Sequence, residues 1–372
     1  MNKVGDTSLD VTEAKAVSFG PGRVRIKMHT AGLCHSDIST MNGVFAHPVP
    51  CVPGHEGAGE VIEVGEGVTN VKVGDRVIIC WMAPCDTCEH CKAGRAQLCK
   101  AGVTNLGTPN FEVNGTLMPG ALGEGTFTEE AVIAASAAIP IPDDLPYDIA
   151  ALIGCGVTTG IGAALNTARI RPGSSVAVIG LGGVGMSIVQ GAKVAGAAQI
   201  VAVDPVANRR EWALKFGANE AVAPEDLGAA RKRLTGSVGF DYAFEAVGKA
   251  ATLRSAYDAA RQGGVVCLVG MGSVADMPDI NMFELVSSQK KILPSVYGGE
   301  DVRHAFARII GHLGPGWAGP GSVFGPWEFE MNPPPPGVPA DPKHSTEGPS
   351  RPKCPHSGGG GLRAHRSIRH PP

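Results

Sequence analysis

The chain has 372 residues, 43% of them hydrophobic, enough for two domains with ordinary cores. Its formal net charge of −3 is small, and no long Lys/Arg block precedes the C-terminal tail, which argues against a nucleic-acid partner. The opening MNKVGDTSLDVTEAKAV lacks the apolar core of a secretory signal, and no uninterrupted apolar run approaches the roughly 20 residues that span a bilayer. A cytoplasmic protein with no membrane partner is expected, and reducing conditions there disfavour stable disulfides.

The first 150 residues read as mostly β, because RVRIKMHTAG, GAGEVIEVGEGV and GDRVIIC combine β-branched residues with glycine turns. Among these runs lie two short segments with metal-ligating side chains, GLCHSD at 32–37 and GHEGAG at 54–59. CDTCEHCKAGRAQLC at 85–99 then places Cys85, Cys88, Cys91 and Cys99 in one loop, with two, two and seven residues between them. Disulfides, a redox pair and a metal site are the three readings, and clustered thiols in a reducing compartment favour metal. A third ligand-bearing segment, GCGVTTG, follows at 154–160. A catalytic zinc needs three protein ligands and an open position, and Cys34, His55 and Cys155 supply two thiolates and an imidazole.

From residue 151 to about 290 the pattern changes to strands alternating with helices. The strand SSVAVIG leads through GLGGVG at 180–185 into the helix GVGMSIVQGAKVAGA. The strand QIVAVD and the helix NRREWALKFGA follow, then the strand-like runs FDYAFEAVG and GGVVCLVG. A parallel sheet with helices on both faces is expected. In GLGGVG, Gly180 permits the tight turn, Gly182 admits a diphosphate to the backbone, and Gly185 lets helix pack closely on strand. The diphosphate would sit on the helix N-terminus. Asp204 closes the next strand, where its carboxylate can accept from ribose hydroxyls and repel a 2′-phosphate, which favours NAD over NADP. Arg209 either faces the same ribose or is a solvated helix residue.

These segments, in this order and spacing, resemble the medium-chain, zinc-dependent alcohol dehydrogenases over roughly residues 20–310. The resemblance is closest to the bacterial branch similar to class III and nicotinoprotein alcohol dehydrogenases. It implies an α/β architecture: a mostly-β GroES-like catalytic domain over 1–152 carrying a structural zinc lobe, a Rossmann NAD-binding domain over 153–295, and the start of a return to the catalytic domain over 296–311. It also implies two zinc ions per chain: Cys34, His55 and Cys155 on the catalytic ion, and Cys85, Cys88, Cys91 and Cys99 on the structural one. Four thiolates fill a tetrahedral shell, so His90 is not needed; Cys51, Cys80 and Cys267 read as buried packing.

Other roles come from the same resemblance. Asp37 and Glu56 would orient the catalytic ligands. Ser36 would bridge the alcohol to the cofactor ribose, His35 would approach the diphosphate, and Thr159 would lie beside the nicotinamide. Gly183, Val184, Val247 and Val269 complete the cofactor contacts, and Trp81 would narrow the substrate pocket. The implied reaction passes hydride from an alcohol to NAD, with zinc as Lewis acid. A primary alcohol or aldehyde is the first substrate class and a polyol or secondary alcohol the second; the long loop after Cys99 implies a homodimer.

Three departures stand out. Ser39 replaces the imidazole many relatives place five residues after the first zinc cysteine, and the opening strand is shortened before about Gly20. Beyond about Gly311 nothing resembles the family. The Pro/Gly-rich segment 312–372 is expected to be a disordered, abnormal tail, the product of a shifted reading frame, with an inactive zinc- and NAD-binding relic as the consequence to weigh against an active enzyme.

Overall fold

The structure, a computed structural model, describes residues 1–6 and 8–313. The expected tail lies outside the described residues from residue 314 onward.

Eight strands occupy the N-terminal part: β1 (Lys15–Ala16), β2 (Arg23–Gly32), β3 (Glu56–Val64), β4 (Arg76–Ile79), β5 (Pro109–Val113), β6 (Thr116–Pro119), β7 (Glu130–Ala134) and β8 (Ala138–Pro140). Five pair antiparallel in the order β7-β2-β3-β4-β8, and a smaller sheet has the order β1-β5-β6. Alternation explains the faces: along β2, Val24 and Ile26 are buried while Arg25 between them pairs with Glu63 at 3.0 Å. The shortened opening strand survives as the two residues of β1, paired with β5.

The second sheet contains β9 (Ser175–Ile179), β10 (Gln199–Val203), β11 (Glu220–Val222), β12 (Phe240–Glu245), β13 (Ala260–Leu268) and β14 (Lys291–Pro294). It is wholly parallel, in the order β11-β10-β9-β12-β13-β14. Its central strands bury both faces, so Val176, Ala177 and Val178 in β9 are all inaccessible. The chain leaves β9 toward β10 on one side and returns to β12 on the other. That reversal opens a crevice at the strands' C-terminal ends, where α/β sheets bind ligands.

A helix from Tyr147 to Thr167 links the sheets, and it is not among the elements predicted from the sequence. Its 21 residues are long and apolar enough to cross a bilayer by length and composition, yet 67% of its most apolar 18-residue stretch is buried inside the protein. It is a core helix that is apolar nearly all round. Two π-helical turns, Ile153–Val157 and Ala163–Thr167, break its regular winding. Glycines let it make close contacts: a Cβ on Gly160 would lie 2.4 Å from the Val184 carbonyl oxygen, and one on Gly162 would lie 2.4 Å from Gly298 Cα.

The helix Val302–Leu313 returns to the first part of the chain and buries Val302, Phe306 and Ile309 in the cluster that holds Tyr297 and Ile161. Near its start, Arg303 pairs with Asp301 at 2.6 Å and reaches Asp86 in the four-cysteine loop at 2.7 Å.

Gly160→Ala is expected to destabilise the fold by about 1–3 kcal/mol, because the added methyl has no room between two helix backbones. A urea midpoint equal to that of the parent chain would show the contact to be slack.

Candidate metal centres and nucleotide crevice

Two groups of ligand-bearing side chains converge among the described residues. In the first, ligand atoms of Cys34, His55, Glu56 and Cys155 all lie within 4.8 Å of one another. Cys34 precedes the helix His35–Met41 as its N-cap, His55 and Glu56 stand at the start of β3, and Cys155 sits in the π-helical turn Ile153–Val157. π-turns recur at functional sites, because the extra residue displaces side chains from the regular helical register.

Asp37 ties two of these segments together. One carboxylate oxygen accepts from the Cys34 backbone N–H at 3.0 Å, and the other meets His55 Nδ1 at 2.9 Å. With Nδ1 engaged, His55 Nε2 is left buried without a partner among the described residues. That orphaned atom, beside two thiols, is what a metal ligand looks like before its ion is counted. Glu56 Oε1 accepts from the backbone N–H of Gly156 at 3.3 Å, tying β3 to the cysteine turn. Its place in the group makes it a fourth donor within reach, closer than the purely supporting role expected from sequence.

The electrostatics suit a cation. The bond to Cys155 comes first among the causes that hold the Cys34 thiol well below its ordinary range. The same bond, with burial, pushes Cys155 well above it. Burial raises the Glu56 carboxyl to about 8. For His55 burial is the largest single effect and pulls downward, but Asp37 and Cys34 outweigh it and bring the imidazole to about 10. Buried protons are thus retained where several anionic donors crowd, and a divalent ion can replace them. Two sulfurs, one imidazole and a nearby carboxylate fit zinc.

The second group is Cys85, Cys88, Cys91 and Cys99, again with sulfurs within 4.8 Å of one another. Hydrogen bonds led by the Thr87 hydroxyl lower the Cys85 thiol to about 5, and burial raises Cys91 to about 12. Four sulfurs fill a tetrahedral shell by themselves, so the set fits a closed structural ion. His90 is outside the group, and Cys51, Cys80 and Cys267 are buried and free.

The glycine turn after β9 has the shape its sequence suggested. Gly180 has φ +92°, and a Cβ on Gly185 would lie 1.8 Å from the Gly180 carbonyl oxygen. A Cβ on Gly182 or Gly183 would meet nothing within 4 Å, so the backbone at the head of the helix Gly183–Val194 faces open space. Asp204 is buried at 3% exposure, its oxygens accepting from Leu181 N–H at 2.8 Å and Val206 N–H at 2.9 Å. Arg209 approaches the same carboxylate at 3.6 Å. Val247 packs over Gly180, and Val269 follows β13 with its N–H on the Glu245 carbonyl. Val184 lies at the Gly160 contact, and Thr159 on the neighbouring turn is half-buried.

Ser36 is half-buried beside Cys34, while His35 is exposed at the first position of its helix. Ser39 is buried, and its carbonyl accepts from Phe45 N–H. Trp81 stacks on Tyr297 with ring centroids 4.5 Å apart. Tyr297 escaped the sequence reading. Its only local signal is the pair of glycines that follows it, which marks a turn and not a site.

Comparison with known proteins matches this geometry. The family described as "Alcohol dehydrogenase GroES-like domain" matches residues 20–143, and "Zinc-binding dehydrogenase" matches residues 183–311. The second match ends at residue 311, beyond which the sequence shows no resemblance to the family. The chain is 38% identical over 293 residues to an S-(hydroxymethyl)glutathione dehydrogenase of Escherichia coli, covering 76% of this chain and 79% of that protein. The structure is similar to an alcohol dehydrogenase zinc-binding domain protein from Burkholderia ambifaria, with TM-score 0.77, 28% identity and coverage of 83% and 86%. It is also similar to benzyl alcohol dehydrogenase from Acinetobacter calcoaceticus, with TM-score 0.74, 28% identity and coverage of 80% and 83%. The chain belongs to the zinc-dependent medium-chain alcohol dehydrogenases, oxidoreductases that exchange hydride between an alcohol and NAD.

Proposed function

We propose that Cys34, His55 and Cys155 hold a catalytic zinc, with Glu56 in reserve beside them, and that the chain oxidises a primary alcohol or reduces the matching aldehyde. One observation carries this reading: donors from three separate segments meet within 4.8 Å around an imidazole nitrogen that lacks a partner. Zinc in that position supplies Lewis acidity toward an alcohol oxygen, and NAD along the crevice supplies the hydride acceptor.

The chain's own residues supply positioning and proton movement. Asp37 holds the Nδ1 proton of His55, so the Nε2 lone pair faces the cluster. Ser36 Oγ, on the residue after His35, serves as the hydroxyl that takes the alcohol proton. Ser39 has no imidazole to relay it, so the proton leaves from Ser36 by way of water. Gly182 and Gly183 offer open backbone for the diphosphate, with His35 nearby, and Val184, Val247, Val269 and Thr159 line the path to the nicotinamide. Asp204, helped by Arg209, reads the ribose. Trp81 forms an aromatic wall, which suits the flat substrate named for the benzyl alcohol relative.

Cys85, Cys88, Cys91 and Cys99 hold the second, structural zinc. We place the domain boundaries near residues 152 and 295, at the linking helix and after β14. Exposed Met277, Met282, Phe283 and Val286 lie just before edge strand β14, which supports a homodimer formed along that edge, in the cytoplasm.

Elemental analysis should give about two zinc ions per chain, and Cys88→Ser should lose one of them. A count near one that this change leaves untouched would refute the four-sulfur site. Replacing Cys34, His55 or Cys155 with alanine should lower alcohol oxidation by at least about 1,000-fold while NAD binding, followed by fluorescence, shifts by less than about threefold. Sustained turnover in any of the three removes that residue from the ligand set. Asp204→Asn keeps an acceptor for the Leu181 N–H but discards the charge, so the ratio of kcat/KM for NAD over NADP should fall. An unchanged ratio would assign ribose reading to another residue.

A further inference from the structure

We propose that Tyr297 is a positioning residue for the reaction: its hydroxyl fixes the Gly154–Cys155 turn and its ring fixes Trp81, so one side chain sets both a zinc ligand and the substrate wall. The inference rests on the assignment of Cys155 to the catalytic zinc.

Three observations converge on this side chain. Tyr297 is buried at 2% exposure, and its hydroxyl donates to the carbonyl oxygen of Gly154, the residue before Cys155. That carbonyl belongs to the π-helical turn Ile153–Val157, whose altered winding makes outside donors valuable. The ring stacks on Trp81 with an interplanar angle of 27° and meets Phe306 edge-on at 6.5 Å.

The backbone at this point is held where an aromatic residue rarely sits. Tyr297 has φ +49°, followed by Gly298 at +78° and Gly299 at +77°. A bulky residue in the left-handed region is costly and persists only when its surroundings demand it. The demand is visible in the contacts. Gly298 lies against Gly162 and the Thr158 carbonyl with no side chain between, and its own carbonyl accepts from Asn166 Nδ2 at 3.0 Å. The turn is therefore pressed onto the helix that carries Cys155 and Thr159. Packing alone would be satisfied by phenylalanine; the hydroxyl is required by the Gly154 bond and by its contact with the buried Cys80 thiol.

Tyr297→Phe is the test, because it keeps the ring and removes the bond. In the protein as isolated, amide hydrogen exchange across residues 154–158 should quicken by about tenfold, while amides of β9 and β12 exchange as before. In cobalt-substituted protein the visible ligand-field bands should shift. Turnover should drop by about tenfold in kcat, with KM for NAD within about twofold. Unchanged exchange overturns the inference. So does faster exchange with a superimposable cobalt spectrum and unchanged kcat, which would reduce Tyr297 to a support of the fold. If Cys155→Ala keeps both metals and full turnover, the zinc assignment fails on its own, and local exchange still decides whether Tyr297 holds the turn.

Discussion

Burying two thiols, an imidazole and a carboxylate together is unfavourable unless something fixes their order, and Asp37 does that. Its two oxygens take the Cys34 backbone and the His55 ring, so the helix His35–Met41 and strand β3 cannot drift apart without leaving a buried carboxylate unpaired. The choice of tautomer follows from the same contact. Because Nδ1 is spoken for, Nε2 is the nitrogen left to a metal. Glu56 repeats the device on the other side, joining β3 to the turn of Cys155. The donors are aligned by carboxylates that are themselves buried and satisfied, which is how a site holds its shape in a low dielectric.

The nucleotide crevice is built on the same plan. The place of Asp204 after a strand suggests a ribose reader, and the structure shows that it straps Leu181 and Val206, the backbone that follows β9 and β10. One carboxylate thus shapes the glycine turn and carries the charge that would meet a ribose. A carboxylate with two duties explains why substitution there needs an isostere to be interpretable.

What could be read from the sequence was whatever depends on neighbours along the chain. The four cysteines of the lobe are close in sequence, and the glycines at 180, 182 and 185 answer backbone requirements that act locally. The strands of the second sheet were legible because their apolar runs are short and bounded by turns. Cys34, His55 and Cys155 are separated by long stretches, and only their joint resemblance to a family brought them together. The helix Tyr147–Thr167 was missed because it is apolar nearly all round and so shows little 3.6-residue period. Tyr297 was invisible for a plainer reason: its hydroxyl partner lies 143 residues away, and no local pattern encodes that bond.

The clasp between Arg303 and Asp86 joins residues 217 apart, and this separation bears on how the protein comes together during synthesis. The four sulfurs at 85–99 span a short loop, so they can gather as soon as that stretch leaves the ribosome. The group Cys34, His55, Glu56 and Cys155 cannot assemble before Cys155 is made, and the Arg303–Asp86 clasp forms only once the helix Val302–Leu313 has been made. Assembly of the two donor groups is therefore ordered by chain position, the contiguous one first and the dispersed one second. The exposed Arg303–Asp86 pair is then a late contact between the lobe and the returning helix.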